Sequence, residues 1–145
     1  NIGALDVARI PVMDKTGASM IVEWYNGEVA FVETSKKYQV STNFVESKYR
    51  GKEKPCWRYN TAMKMLDKQN ALTVTDMSKV LDATHIEGSS STTLYSFVCD
   101  LKNGDIYVYN YHNYSVSIKI NLEEELMKGK HEHYLQFHFH LGQIY

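Results

Sequence analysis

An Asn-Gly pair near the start of the chain constrains its fold most strongly. Asn26-Gly27 separates two apolar-rich runs, Met20–Tyr25 and Glu28–Glu33. Asn and Gly tolerate the positive φ values that a two-residue hairpin turn needs at both central positions. The sequence therefore predicts an antiparallel hairpin here, with a third strand at Tyr38–Thr42 after a polar turn.

Two segments with helical periodicity follow a charged loop, Val45–Lys54, that we expect to be exposed. The first, "WRYNTAMKMLDKQN", has apolar residues at i, i+3, i+4 and i+7 counted from Tyr59, which predicts a helix with one buried stripe. The second, "TVTDMSKVLDATH", predicts a helix with Thr75 as its N-cap and Asp76 near its positive end.

A second group of strands follows the helices and is divided by another Asn-Gly pair, Asn103-Gly104. The predicted strands are Thr93–Leu101, Ile106–Tyr111 and Ser115–Asn121. Apolar residues alternate onto both faces of Thr93–Leu101, which predicts a covering layer on each side of it. Because strands and helices are segregated along the chain, we expect an α+β fold with antiparallel sheets. Residues 1–145 would form a single domain, with a short helix ending near Gly129 and a His-rich C-terminal tail at 131–145.

Charge and hydropathy argue against two classes of partner. The chain of 145 residues has 16 basic and 17 acidic residues, so it lacks the basic field that binds a phosphate backbone. Its apolar runs are too short to span a bilayer. The two cysteines have neither a metal-type spacing nor a disulfide framework, and the compartment stays open. We therefore expect neither a nucleic-acid nor a membrane partner, and no cofactor.

The histidines of the tail are one candidate metal site. His131 and His133 are two residues apart, as are His138 and His140, so each pair would share a face of an extended chain. Imidazole pairs bind zinc or copper. A terminal strand with its histidines facing water explains the same pattern, and it is the preferred interpretation because no further ligand recurs at fixed spacing.

Three residues around the charged loop are candidates for catalysis. Cys56 lies between Lys54 and Arg58, whose positive charges would stabilise a thiolate, although no histidine base is near it in sequence. Asn43 follows a predicted strand, and Arg58 lies at the start of a predicted helix. From their positions alone, these two side chains are most simply a turn residue and a surface charge.

Several short motifs resemble, in order, the C-terminal part of the linear amide C–N hydrolases. This group of N-terminal nucleophile hydrolases includes choloylglycine hydrolase, penicillin V acylase and acyl-CoA:6-aminopenicillanate acyltransferase. The resemblance covers about residues 9 to 122. The matching residues are Asp14, Gly17, Ser19, Glu23, Thr42, Asn43, Arg58, Thr93, Tyr95, Ser96 and Asp100.

The resemblance implies part of a four-layer αββα sandwich that acts on small-molecule, non-peptide amides. In that family an N-terminal Cys attacks the amide carbonyl, and its own α-amino group moves the proton. By the family pattern, Asn43 donates to the oxyanion and Arg58 lies beside the nucleophile.

The family's N-terminal Cys has no match in this chain, which begins with Asn1. We therefore expect the C-terminal portion of a longer amidase or acyltransferase, inactive alone and partnered by the remaining N-terminal portion. Unpaired sheet edges would favour a homo-oligomer. The alternative is a non-catalytic α+β module that binds a protein partner, or a metal through its tail.

Overall fold

The computed structural model describes residues 7–68 and 72–131, and its elements are segregated as the sequence predicts. In chain order they are β1 (Val7–Met13), β2 (Ser19–Tyr25), β3 (Glu28–Glu33), a 3-10 turn (Glu46–Tyr49), α1 (Trp57–Leu66), α2 (Val74–Thr84), β4 (Tyr95–Asp100), β5 (Asp105–Asn110), β6 (Ile118–Asn121) and α3 (Leu122–Met127). The fold is α+β, with two antiparallel three-stranded sheets ordered β1-β2-β3 and β4-β5-β6. The predicted terminal strand and the metal pair His138 and His140 lie outside the described residues.

The first sheet is built around the predicted hairpin. Tyr25 pairs with Glu28, and the turn residues Asn26 and Gly27 have φ values of 51° and 80°, which confirms the Asn-Gly turn. Strand β1 pairs with β2 along its whole length and was not predicted. Its Pro11 cannot donate a ladder hydrogen bond, and an edge position such as that of β1 tolerates this.

The predicted strand at Tyr38–Thr42 is wrong, since this segment joins neither sheet. Side chains take the place of a ladder: the Gln39 amide donates to the Val32 carbonyl at 2.7 Å, and the Thr34 hydroxyl donates to the Tyr38 carbonyl at 3.4 Å. Val40 instead enters the main core against α1 and α2. That core consists of Val40, Tyr59, Ala62, Leu66 and Val80.

Both long helices form, with one change at a terminus. Helix α1 buries Tyr59, Ala62 and Leu66, as its apolar stripe predicts. Helix α2 begins earlier than predicted, because its N-cap is Thr73 rather than Thr75. The Thr73 hydroxyl accepts from the Asp76 backbone N–H at 3.1 Å, and the Asp76 carboxylate accepts from the Thr73 backbone N–H at 3.1 Å. This capping box satisfies two donors at the helix start.

The second sheet contains a longer turn than the Asn-Gly pair predicts. Asp100 pairs with Asp105, so four residues form the β4–β5 loop, and only Gly104 among them has positive φ (70°). The Asp100 carboxylate organises this loop by accepting from the backbone N–H groups of Lys102 and Asn103, both at 3.2 Å. Hydrogen bonds to the Asp100 side chain thus stabilise a four-residue loop in place of the predicted two-residue turn.

Each sheet has one buried face and one exposed apolar face among the described residues. In the first sheet, Ile21, Glu23 and Val32 are buried on one face. The opposite face exposes Ile10, Val12, Trp24, Val29 and Phe31. In the second sheet, Val98 and Tyr109 are buried, whereas Tyr95, Phe97 and Ile118 are exposed on the other face. The expectation that layers cover both faces of Thr93–Leu101 is therefore wrong for the described part of the chain. No helix within these residues is long and apolar enough to cross a membrane.

Candidate functional site

The segment that carries Asn43 meets the start of helix α1. Cys56 is the N-cap of α1, and its thiol lies against the hydroxyl of Thr42, the residue before Asn43. The Thr42 Oγ1 is fully buried and has no hydrogen-bond partner among the described residues. Arg58 follows in the first turn of the helix. A contact between neighbouring residues therefore brings the segments of both predicted catalytic residues together.

Both predicted catalytic side chains are available for further interactions. Asn43 is exposed and Arg58 is half-buried. Neither side chain makes a hydrogen bond or an ion pair with another residue of 7–68 or 72–131. An amide and a guanidinium without partners can bind an anionic or carbonyl oxygen without first breaking a bond within the chain.

The backbone on the C-terminal side of Asn43 is fixed by packing. The Phe44 ring makes edge-to-face contacts with Tyr49 and Tyr59, with ring centroids 5.4 Å and 5.2 Å apart. The next residue, Val45, is buried with 8% of its surface exposed. Aromatic edge-to-face pairs stabilise such packing by roughly 0.5–1.5 kcal/mol each. The predicted exposure of the whole loop Val45–Lys54 is therefore wrong at its first residue.

A buried carboxylate fixes the same loop from the first sheet. Glu23 lies in β2 with only 1% of its surface exposed, and it accepts from the backbone N–H groups of Glu46 at 2.6 Å and Ser47 at 2.9 Å. Burial by itself raises the pKa of Glu23, but these hydrogen bonds outweigh it and hold the pKa below its ordinary value. The sheet thus holds the loop through a charged acceptor.

The pKa of the Glu46 carboxyl group is shifted in the opposite direction. Burial raises its pKa, and its Oε1 accepts from the Tyr59 hydroxyl at 3.0 Å. Burial and the nearby Glu46 raise the pKa of Tyr59 to about 12. The phenol is therefore a neutral donor over the physiological range, and it joins the loop to helix α1.

The thiol of Cys56 is more acidic than an ordinary cysteine. Burial raises its pKa, but the nearby Thr42 hydroxyl, the backbone N–H groups of Tyr59 and Arg58 and the Arg58 charge lower it overall. The structure places no histidine of the described residues in contact with this thiol. Cys56 is therefore a polarised thiol without the base that a classical cysteine nucleophile uses.

The other motif residues stabilise turns and connections. Asp14 accepts from the backbone N–H of Thr16 at 2.8 Å, in the β1–β2 turn that contains Gly17. Thr93 accepts from the backbone N–H of Ile86 at 3.0 Å, and Ser96 is hydrogen-bonded to the Tyr114 hydroxyl at 3.1 Å. These positions have structural roles in this chain.

Comparisons with models of known protein families, with curated proteins and with solved structures found no match for this chain. The resemblance to the amide hydrolases therefore depends on the short sequence motifs alone.

Two features of this region were not predicted from the sequence. Glu46 and Tyr59 form a buried acid–phenol pair next to the loop, and no local pattern indicates their contact, because it joins a loop to a helix. A cluster of His85, Glu87 and His112 also forms away from Asn43. Its members come from two distant segments, so spacing along the chain gave no signal.

Proposed function

We propose that this chain supplies the oxyanion donor and a fixed positive charge to an enzyme that cleaves or transfers linear, non-peptide amides. The carrying observation is that Thr42 lies near Cys56, between the segments of Asn43 and Arg58, whose side chains make no hydrogen bond or ion pair with residues 7–68 or 72–131. The order of motifs along the chain supports the same reaction class.

In this proposal Asn43 stabilises the tetrahedral intermediate. Its side-chain NH2 group would donate to the developing oxyanion of the amide carbonyl. Such a donor works best when it needs no reorganisation, and the Phe44 packing and Glu23 hydrogen bonds hold the adjoining backbone. A single oxyanion donor contributes about 10²–10³ in kcat in enzymes of other folds.

Arg58 would act on the nucleophile rather than on the carbonyl. Its charge contributes to the lowered pKa of the Cys56 thiol, and it would act in the same direction on another sulfur nearby. In the proposal the nucleophile is an N-terminal Cys from another segment, whose thiolate Arg58 would stabilise. The free α-amino group of that Cys would take the thiol proton.

The exposed faces of both sheets support an αββα arrangement. In such a sandwich, each sheet has helices on one side and a second sheet on the other. Both sheets here bury one face and leave the other apolar and exposed. The remaining N-terminal portion of the enzyme would supply the strands that cover these faces.

Kinetics of the full-length gene product, assayed on a panel of N-acyl p-nitroanilides, test the proposal. We expect N43A to lower kcat by about 10²–10³ with a smaller change in KM. N60A is the matched control, because it removes an exposed amide from helix α1 beside the site.

For Arg58, we expect R58A to lower kcat and to raise the pH at which kcat/KM reaches half its plateau. R50A is its control.

Three results would contradict this function. The first is robust turnover by the 145-residue chain alone, which would indicate Cys56 as the nucleophile. The second is an unchanged kcat in N43A. The third is an upstream sequence without an N-terminal Cys after processing, which would favour a non-catalytic binding module instead.

A further inference from the structure

Two histidines and a glutamate converge on the surface at the C-terminal end of helix α2. His85 is the C-cap residue of α2, Glu87 follows two residues later, and His112 lies just after β5. A Glu87 carboxylate oxygen is 2.8 Å from Nε2 of His85 and 3.2 Å from Nδ1 of His112. One ligand atom from each residue lies within 4.8 Å of the other two.

These distances are close to those of a zinc coordination shell. Zinc bonds to imidazole nitrogen and carboxylate oxygen at about 2.0–2.2 Å, so tetrahedral ligand atoms lie about 3.3 Å apart. The two measured separations lie within about 0.5 Å of that edge. Two imidazoles and one carboxylate also form a recurrent zinc ligand set that leaves the fourth position open.

The contact of His85 with the Asp82 carbonyl orients its Nε2 toward Glu87. Its Nδ1 contacts the backbone carbonyl of Asp82, which is an acceptor, so Nδ1 carries the proton. The Nδ1–H···O=C bond is the usual support of a metal-bound histidine, and it leaves Nε2 facing the Glu87 carboxylate at 2.8 Å.

Both ligand segments are anchored to the start of the second sheet. Backbone Thr93 donates to the Ile86 carbonyl at 2.8 Å, which fixes the residue between His85 and Glu87. Backbone Tyr111 donates to the Leu94 carbonyl at 2.8 Å, which fixes the residue before His112. The scaffold therefore sets the separation of the two histidines.

The His112 ring is held by stacking rather than by a second hydrogen bond. It stacks on His85 and on Tyr111, with ring centroids 4.4 Å and 3.8 Å apart. Its Nε2 is buried and has no hydrogen-bond partner among the described residues. Outer hydrogen bonds contribute about 10- to 100-fold to metal affinity, so this site should bind zinc more weakly than one with both histidines supported.

Access from solvent is open on the carboxylate side. The side chain of Glu87 is 63% exposed, while those of His85 and His112 are 18% and 14% exposed. A metal ion can therefore enter past Glu87, and water can complete its coordination.

We propose that His85, Glu87 and His112 form a binding site for a divalent transition metal, with Zn²⁺ as the best-matched ion. This site is separate from the amidase proposal and does not depend on it.

Calorimetric titration with zinc chloride tests the site in the full chain. The background protein carries H131A, H133A, H138A and H140A, so that the tail histidines do not contribute. We expect one bound Zn²⁺ per chain. Because Glu87 is a direct ligand, E87Q should lower the affinity by at least the roughly 10- to 100-fold that loss of an outer hydrogen bond costs. E87Q changes an exposed side chain, so folding should persist, and circular dichroism verifies this. The matched control is E53Q, which alters an exposed glutamate away from the cluster.

A second measurement separates coordination from general binding. The imidazole NMR signals of His85 and His112 should shift together at one equivalent of zinc, and the Co²⁺ complex should have a tetrahedral absorption spectrum that E87Q removes. The site is overturned if the background protein binds no zinc, or if adding E87Q leaves its zinc affinity unchanged.

Discussion

The carboxylate of Glu23 accepts a hydrogen bond from the backbone N–H of Ser47 at 2.9 Å, across the gap between the first sheet and the loop that follows Asn43. A second bond, from the Glu46 N–H, is 2.6 Å long. Glu23 thus connects a strand that the sequence pattern predicts with a loop whose conformation the pattern does not predict. Its burial makes the connection costly to break.

We expect E23Q to destabilise the fold by about 1–3 kcal/mol at neutral pH, because an amide presents one acceptor oxygen and one donor where two N–H groups need acceptors. Urea unfolding followed by tryptophan fluorescence measures this. E28Q, at an exposed position on the neighbouring strand, is the control and should change stability little. Equal midpoints for E23Q and E28Q would contradict a structural role for Glu23.

The same substitution should alter the response to acid. The folded state lowers the pKa of Glu23, so the stabilisation is complete above its ordinary value of 4.5 and is lost as pH falls through the folded value. E23Q should therefore flatten the loss of stability below about pH 4.5. Burial raises the pKa of Glu46, so E46Q should act in the opposite sense and relieve a destabilisation that develops as pH rises. Parallel stability–pH curves for the wild type and E23Q would exclude this linkage.

Helix α2 provides a test that separates the sequence prediction from the structure. The sequence indicates Thr75 as N-cap, whereas the capping box joins Thr73 to Asp76. We expect T73A to cost about 1 kcal/mol of unfolding free energy and T75A to have little effect. Chemical denaturation of the two variants measures the difference, and a larger loss in T75A would show that the helix starts at the predicted position.

Local sequence signals predicted most of the helices and strands well. Contacts between distant segments limited the prediction of the remaining structure. Asn26-Gly27 gave the hairpin because φ preference is a property of the two residues themselves. The error at Tyr38–Thr42 arose because a β-like run needs a ladder partner, and the Gln39 side chain satisfies the Val32 carbonyl instead. A strand can pair with another strand, or a side chain can take the place of the pairing hydrogen bonds. Which of the two occurs depends on residues far apart in the chain, and the periodicity of one segment carries no information about them.

The candidate site shows the same limit. Asn43 and Arg58 were proposed from the order of motifs, and the structure adds that Thr42 and Cys56 lie close together between their segments. The Glu46–Tyr59 pair and the histidine cluster had no sequence signal. Each joins side chains from different elements, and only packing of those elements brings them together.

The thiol of Cys56 should have the lower titration midpoint of the two cysteines, although Cys99 is the more exposed. Burial raises its pKa, but the Thr42 hydroxyl and the helix N–H groups lower it overall, whereas burial raises the pKa of Cys99. The pH profile of iodoacetamide alkylation should therefore have a lower midpoint for Cys56 in C99S than for Cys99 in C56S. T42V keeps the shape of the side chain and removes the hydroxyl, so it should raise the Cys56 midpoint. T61V is the control, and superimposable profiles for T42V and the wild type would refute the contribution of Thr42.

The exposed apolar face of the first sheet should make the isolated 145-residue chain associate. Ile10 and Phe31 flank Val22 on this face and are 59% and 55% exposed. Apolar sheet surface of this kind is normally covered by another layer or by a partner. We expect F31K to shift the chain toward monomer in sedimentation equilibrium, because a charged side chain on this face opposes burial. K37E, on the exposed connection after β3, is the control for a simple change of charge. If the wild type is monomeric at every concentration, the face does not mediate self-association. If F31K and K37E associate alike, the contact lies elsewhere on the chain.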